Sequence, residues 1–212
     1  MSMNPAQVAG ADVAELRQLV ATCTACELCR GAKMGVPGEG PLPTEIMFIG
    51  EAPGFHEDQQ GMPFIGAAGQ FLNELLGKIG LDRSDVYITN VVKHRPPGNR
   101  DPLPDEMAAC RPYLDRQIEL VDPKMIVTLG RFSMARWFPG GRISQIHGQP
   151  KTVDGRIIVP MYHPAAALHQ AALKATIEAD FLKLPRYLAD MRQLLQVEEA
   201  AEKPQPEQSR LF

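Results

Sequence analysis

Four short, largely apolar runs alternate with amphipathic segments along this chain, and that alternation limits the folds open to it more than any other feature. The runs are EIMFIG (45–50), DVYITNVV (85–92), KMIVTLG (124–130) and RIIVPMYHP (156–164). Apolar runs of this length, with few polar interruptions, suit strands buried on both faces, as in a parallel sheet. Helical patterns lie between them. Residues 67–79 put Phe71, Leu72, Leu75, Leu76 and Ile79 on one face, with Gly80 placed to cap the end. Residues 11–22 read as a helix leading into a group of cysteines, 131–138 as a short helix, and 172–195 as a long one that Pro185 should kink or split. RPPGNRDPLPDE (95–106) carries four prolines and must be a loop, with a helix starting near Pro104 and running to about Val121. Strand and helix in alternation predict an α/β fold: a three-layer α/β/α sandwich around a four-stranded, mainly parallel sheet.

In such sheets the working residues collect outside the carboxyl ends of the strands. The polar clusters of this chain fall there. Gly50–Asp58 follows the first strand, Asn90 ends the second and His163 ends the fourth. With 212 residues, 44% of them hydrophobic, the chain can bury one sizeable core. We therefore expect one domain over residues 1–196 and a tail over 197–212 whose acidic, Pro- and Gln-containing stretch reads as disordered. The formal net charge is −3, of which the tail contributes −2 and the body −1. That excludes a polycation but permits a local basic site for nucleic acid. No apolar stretch is long enough to span a bilayer, and the start lacks the basic and apolar regions of a secretory signal, which predicts a cytoplasmic protein. Thiols stay reduced there, so the four cysteines point to metal or redox chemistry before disulfides.

Cys23, Cys26 and Cys29 stand in C-x2-C-x2-C spacing, and Cys110 lies far away on the helix after the proline-rich loop. Iron–sulfur clusters take four ligands, usually thiolates, and structural zinc takes four Cys or His. Buried small hydrophobes are the plain alternative. A ferredoxin pattern is incomplete, because its fourth cysteine followed by proline is missing.

The segment GEAPGFHEDQQGMPFIGAAGQFLNELL (50–76) carries the most information. It resembles the signature of the family 4 (iron–sulfur) uracil-DNA glycosylases. The resemblance continues through YITNVVKHRPPGNRDPLPDE (87–106), ACRPYL (109–114), IVTLG (126–130) and MYHPAAAL (161–168), covering nearly all of residues 23–190 in order. It implies an enzyme that flips uracil out of single- or double-stranded DNA and hydrolyses its N-glycosidic bond, with a [4Fe-4S] cluster. Such an enzyme would be cytoplasmic, associated with the nucleoid, and monomeric.

The residue types suit that chemistry. A base inside a duplex must be flipped into a pocket before its glycosidic bond can be reached. Phe64 is placed to stack on it. Asn90 can donate to O4 and accept from N3–H, and cytosine presents the reverse pattern, so a mismatch leaves buried polar groups unpaired. Backbone amides at Glu51, Ala52 and Gly54 can hold O2 or a phosphate. His163 is the candidate donor to the charge that develops on O2. A carboxylate must stabilise the sugar cation or orient water. Glu51, Glu57 and Asp58 are available; the resemblance favours Glu51 for this work, with Glu57 beside the base, and leaves the division of roles open. Lys93, Arg95, Arg100 and Arg111 surround the proline-rich loop and are candidates for phosphate contact. The resemblance places Leu168 as the apolar wedge that fills the gap left by the flipped base. Taken singly, Phe64, Asn90, His163 and Leu168 could each be ordinary packing or turn residues.

The chain departs from the family at one ligand. Many members read V-K-C-R-P-P, and here the segment is VKHRPP, with His94 in the cysteine's place. The expected cluster ligands are Cys23, Cys26, His94 and Cys110, with Cys29 the alternative to His94. A related DNA-crosslinking branch carries a basic insert after VKH, which this chain lacks. The last residues, Gln208–Phe212, resemble the short motif that docks into replicative sliding clamps, with Leu211 and Phe212 as apolar anchors. The competing readings are a non-catalytic iron–sulfur module that binds nucleic acid, or a small redox protein.

Overall fold

Within the computed structural model, residues 5–202 are described, and Gln208–Phe212 lie outside them. The four expected strands form: β1 (Ile46–Gly50), β2 (Tyr87–Asn90), β3 (Met125–Leu129) and, after an added strand β4 (Lys151–Val153), β5 (Arg156–Met161). They hydrogen-bond in the order β2-β1-β3-β5-β4, all parallel except β4, which runs antiparallel to β5. The sheet thus has five strands rather than four. β4 escapes an apolar-run reading because it is an edge strand with two exposed residues and one half-buried. Asp154 and Gly155 join it to β5 with positive φ, at 48° and 71°, which suits a two-residue Asp-Gly hairpin loop.

Eleven helices cover the sheet and its ends: α1 (Pro5–Gly10), α2 (Val13–Ala21), α3 (Leu28–Gly31), α4 (Phe55–Gln60), α5 (Ala67–Lys78), α6 (Pro104–Val121), α7 (Arg131–Met134), α8 (Ile143–Ile146), α9 (Pro164–His169), α10 (Ala172–Phe181) and α11 (Leu184–Glu202), counted among the described residues. Successive strand side chains alternate faces, so each strand feeds two cores. On one face Phe48, Ile88, Val127 and Val159 pack with Leu72 and Leu75 of α5, Phe181 of α10 and Leu188 of α11. On the other, Met47, Ile49, Ile126 and Ile158 pack with Leu114, Ile118 and Val121 of α6. These are the three layers. The helices α1 and α2 dock on α6 through Val8, Leu16, Val20 and Tyr113. Asp12 caps α2 in a reciprocal box with Glu15.

The helix expected over 172–195 is split, and the break precedes Pro185, which sits in the first turn of α11 where its missing N–H is no loss. That helix also runs to Glu202, past the boundary expected at residue 196. None of the helices among the described residues is long and apolar enough to cross a membrane.

Register and connectivity position the site. Gly50 is paired with Asn90, and Leu129 with Met161, so the carboxyl ends of β1, β2, β3 and β5 lie together. The chain leaves β1 to one side for β2 and returns on the other side for β3. The crevice at such a reversal is where open α/β sheets bind ligands.

Candidate active site

A cavity of about 580 Å³ opens at that crevice, and Glu51, Ala52, Gly54, Glu57, Phe64, Asn90 and His163 all line it. Every catalytic and substrate-binding residue expected from sequence is therefore in one place. Gly50 makes the closure possible. A Cβ there would stand 2.4 Å from Asn90 Oδ1 and 2.5 Å from Phe64 Cζ. Only a residue without a side chain lets the amide and the ring meet across the end of β1.

Asn90 is buried, and its Oδ1 has no hydrogen-bond partner. A buried acceptor left unpaired costs about 1–3 kcal/mol, which a ligand N–H relieves. His163 is the N-cap of α9, and its Nδ1 accepts the Ala165 N–H at 3.1 Å. The ring proton therefore sits on Nε2, the donor left for a ligand. Burial pushes the His163 pKa down to about 4, against a smaller opposing effect from Glu57. The imidazole is neutral at pH 7. The Phe64 and His163 rings lie 25° from parallel with centroids 5.5 Å apart, so they form one wall.

Phe64 is held in an uncommon conformation, with φ at 52°. Three neighbours impose it. Arg83, just ahead of β2, donates from Nη1 to the Phe64 carbonyl at 3.0 Å and from Nη2 to the Pro63 carbonyl. Its Nε is fixed by Glu39 at 2.6 Å. Glu57 is buried, and its Oε1 accepts the Ile65 and Gly66 amides at 2.8 and 2.9 Å. Gly69 of α5 presses on the same turn; a Cβ there would fall 1.7 Å from the Phe64 oxygen. The resemblance did not point to Arg83. Its contacts span 19 and 20 residues and depend on the turn itself, so no local signal marks it.

Glu51 is half-buried and has no side-chain hydrogen bond among the described residues. Desolvation pushes its pKa up to about 7, with Asp101 adding to the rise and Arg131 opposing it. Asp58 is committed elsewhere. Its Oδ1 accepts the Lys33 amide at 2.8 Å and the Met34 amide at 3.3 Å, which ties the cysteine-bearing segment to α4.

One expected phosphate contact is corrected. Lys93 is 1% exposed, and its Nζ donates to Thr89 Oγ1, the Asn90 carbonyl and Gln117 Oε1 at 2.9, 2.6 and 2.6 Å. Three acceptors meet its amine, yet desolvation still pulls its pKa down to about 7. It braces the backbone of Asn90 from inside and cannot meet DNA. Arg100 is on the cavity rim but is paired through both Nη atoms with the buried carboxylate of Glu106. Arg95 is half-buried, with Nε on Asn99 Oδ1 at 2.8 Å. Arg111 is exposed and faces Asp115 at 3.5 Å. Leu168, in the last turn of α9, is 51% exposed.

The five candidate ligands come from three segments: Cys23, Cys26 and Cys29 after α2, His94 after β2 and Cys110 on α6. Cys26 touches Cys110, which also accepts the Lys93 amide at 3.4 Å. Cys23 accepts the Ala25 amide at 3.5 Å. Cys23, Cys29 and His94 line a second cavity of about 280 Å³. His94 is buried with Nδ1 unpartnered. Among the described residues no three His, Cys, Asp or Glu close around a single ion-sized point. An orphaned imidazole nitrogen beside thiols that accept amide N–H groups is a donor set chemically compatible with an iron–sulfur cluster.

The family model of the uracil DNA glycosylase superfamily matches residues 37–189. A type-4 uracil-DNA glycosylase of Sulfurisphaera tokodaii is 48% identical over 180 residues, covering 80% of this chain and 82% of the relative. Enzymes of the same name from Archaeoglobus fulgidus and Thermotoga maritima are each 45% identical, over 78% and 70% of this chain and 87% and 79% of their own.

Proposed function

This chain belongs to the uracil-DNA glycosylase superfamily, and on that premise we propose how its residues divide the work. The protein removes uracil from DNA by hydrolysing the N-glycosidic bond and leaves an abasic site, as a monofunctional repair glycosylase. The observation that carries the residue assignment is the unpaired, buried Asn90 Oδ1 beside Phe64 and His163. In our reading Oδ1 accepts uracil N3–H and Nδ2 donates to O4. Cytosine would set lone pair against lone pair there. Phe64 stacks on the ring. His163 Nε2–H donates to O2 as charge moves onto the departing base. A neutral donor stabilises that anion without surrendering its proton, and one such donor is worth roughly 3 kcal/mol. Glu51, as carboxylate, stabilises the sugar cation or orients the water. Glu57 positions Phe64 through the Ile65 and Gly66 amides.

We assign Cys23, Cys26, His94 and Cys110 as ligands of a [4Fe-4S] cluster, supported by the orphaned His94 Nδ1 and the amide N–H groups on two of the sulfurs. Such a group, when bound, would supply a structural tie between the segment after α2, the end of β2 and α6. Arg95 and Arg100 are assigned to phosphate and Leu168 to the vacated stack. The resemblance of Gln208–Phe212 to a clamp-docking motif supports a contact with the sliding clamp at DNA in the cytoplasm. Removing those residues should abolish clamp capture; retained capture would overturn it.

The test of the whole reading is direct. Uracil-containing oligonucleotides, single- and double-stranded, are incubated with the protein and treated with alkali. Strand cleavage at the uracil is expected, and its absence from both would reject the reading. His163→Ala should lose about 10²–10³-fold in kcat.

A further inference from the structure

We propose that the cavity holds a second nucleotide, a neighbour of the uracil, with its base stacked on Phe55 and its phosphate met by Arg95. This rests on the glycosylase reading and extends it to the flanking residue of a single-stranded substrate.

The cavity does not end at Phe64. The same wall continues through Phe55, His56, Pro96, Asn99 and Arg100. Phe55 opens α4, immediately after the Gly54 turn, and is 53% exposed, so it packs in neither core. Its ring is nevertheless held. The Arg95 guanidinium lies 5.2 Å from its centroid, and the His56 ring meets it edge-on at 5.5 Å. Arg95 is in turn fixed by Asn99. Among the described residues Arg95 has no carboxylate partner, whereas Arg100 has Glu106 and Arg131 has Asp101. An aromatic ring that lines the cavity, with an uncompensated, pre-oriented guanidinium beside it, suits one ligand chemistry: a stacked base joined to a phosphate.

Chain connectivity supplies that ligand. A nucleotide drawn into the deep pocket remains bonded to its neighbours, whose bases then lie at the mouth. In a duplex those bases stay stacked on their own strand. In a single strand they are free, and an aromatic platform at the mouth captures one. The subsite therefore predicts tighter engagement of single strands, carried by a base that is not itself cleaved. Stacking of this kind is sequence-tolerant and contributes about 5- to 150-fold in affinity per base.

The experiment compares the parent protein, Phe55→Ala and Phe55→Trp on single-stranded oligonucleotides. The uracil is flanked by normal bases, or by a stable abasic analogue on its 5′ or its 3′ side. Phe55→Ala should raise KM about 5- to 150-fold on the normally flanked strand, with kcat and melting temperature unchanged, and Phe55→Trp should restore it. On the strand lacking the stacking neighbour, the parent should fall to the level of Phe55→Ala, and the substitution should add no further loss. Equal KM for parent and Phe55→Ala, or a loss that persists unchanged with both abasic flanks, would overturn the subsite. Fluorescence anisotropy with a non-hydrolysable 2′-fluoro uracil strand separates the two readings. A parent that cleaves nothing sinks the glycosylase reading, while a flank-dependent difference in binding still reports the subsite.

Discussion

Arg83 is one of the three neighbours that hold the Phe64 turn, and replacing it with methionine isolates its share under the proposed stacking role. Phe64 sits at φ 52°, a conformation that costs a non-glycine residue about 1–3 kcal/mol. Opposing that strain are two hydrogen bonds from one guanidinium to the Pro63 and Phe64 carbonyls. Hydrogen bonds to a charged group contribute roughly 1.5–3 kcal/mol each. Without the fork the strain is no longer offset, and the turn relaxes. Glu57 still holds the Ile65 and Gly66 amides, so the protein folds. What is lost is the ring's placement, and base–aromatic stacking is worth about 1–3 kcal/mol. Arg83→Met should therefore lower kcat/KM about 5- to 150-fold, and no further than Phe64→Ala does. The melting point should drop by about 2–4 °C for each kcal/mol removed in a chain of this size. Arg83→Lys keeps a charge for Glu39 but cannot span two carbonyls, and should fall between. The decisive assay is a double-mutant cycle read by single-turnover excision. In the Phe64→Ala background, Arg83→Met should cost less than about 2-fold, because the interaction it serves is already gone. An equal loss in both backgrounds would refute the argument.

Other expectations follow from the same geometry. With Glu51 half-ionised near pH 7, kcat/KM should fall about tenfold per pH unit below that, and Glu51→Gln should flatten the limb; an unchanged limb would remove Glu51 from the chemistry. The stability effects of Glu51 and His163 run in opposite directions with pH. Glu51, raised from 4.5 to about 7, contributes stability that is full below pH 4.5 and lost as pH rises through 7, whereas His163, lowered from 6.5 to about 4, contributes stability present above 6.5 and lost as pH falls toward 4. Melting temperatures of His163→Asn should accordingly be less acid-sensitive between pH 6.5 and 4 than those of the parent. Anaerobically purified protein should be brown and contain iron, and His94→Ala should lose both while Cys29→Ser keeps them; the reverse pattern would move the fourth ligand to Cys29, and zinc in place of iron would refute the cluster. Lys93→Met should lower the melting temperature and leave the salt dependence of DNA binding unchanged, while Arg95→Ala should reduce that slope by about 1; the opposite outcome would put Lys93 back on the surface.

The central strands were legible because both of their faces are buried, which leaves long apolar runs in the sequence. β4 was not, since an edge strand of three residues with one half-buried side chain has no such run. The site was legible at the level of residue type and chain order. Glu51, Asn90 and His163 converge because each stands at or just past a strand's carboxyl end, a position that motif order implies. Charge was a poor guide to location. Lys93 reads as a surface residue, yet acceptors from residues 89, 90 and 117 meet its Nζ inside the protein. Nothing along the chain reveals that convergence. Arg83 was illegible for the same reason. The extension of α11 to Glu202 reflects local propensity: QVEEAAE is built of good helix formers, with only Val197 less favourable, and its acidity alone does not break a helix.

Gly50 gives the site an unusual point of control for anyone wishing to study it. One methyl group at that position would collide with the Asn90 amide and the Phe64 ring together. On the proposed reading, specificity redesign would treat positions 64 and 90 as a pair, since both side chains crowd the same point beside Gly50. On that same reading, Gly50→Ala should keep the fold yet exclude a flipped base, which would make it a reference protein for binding studies.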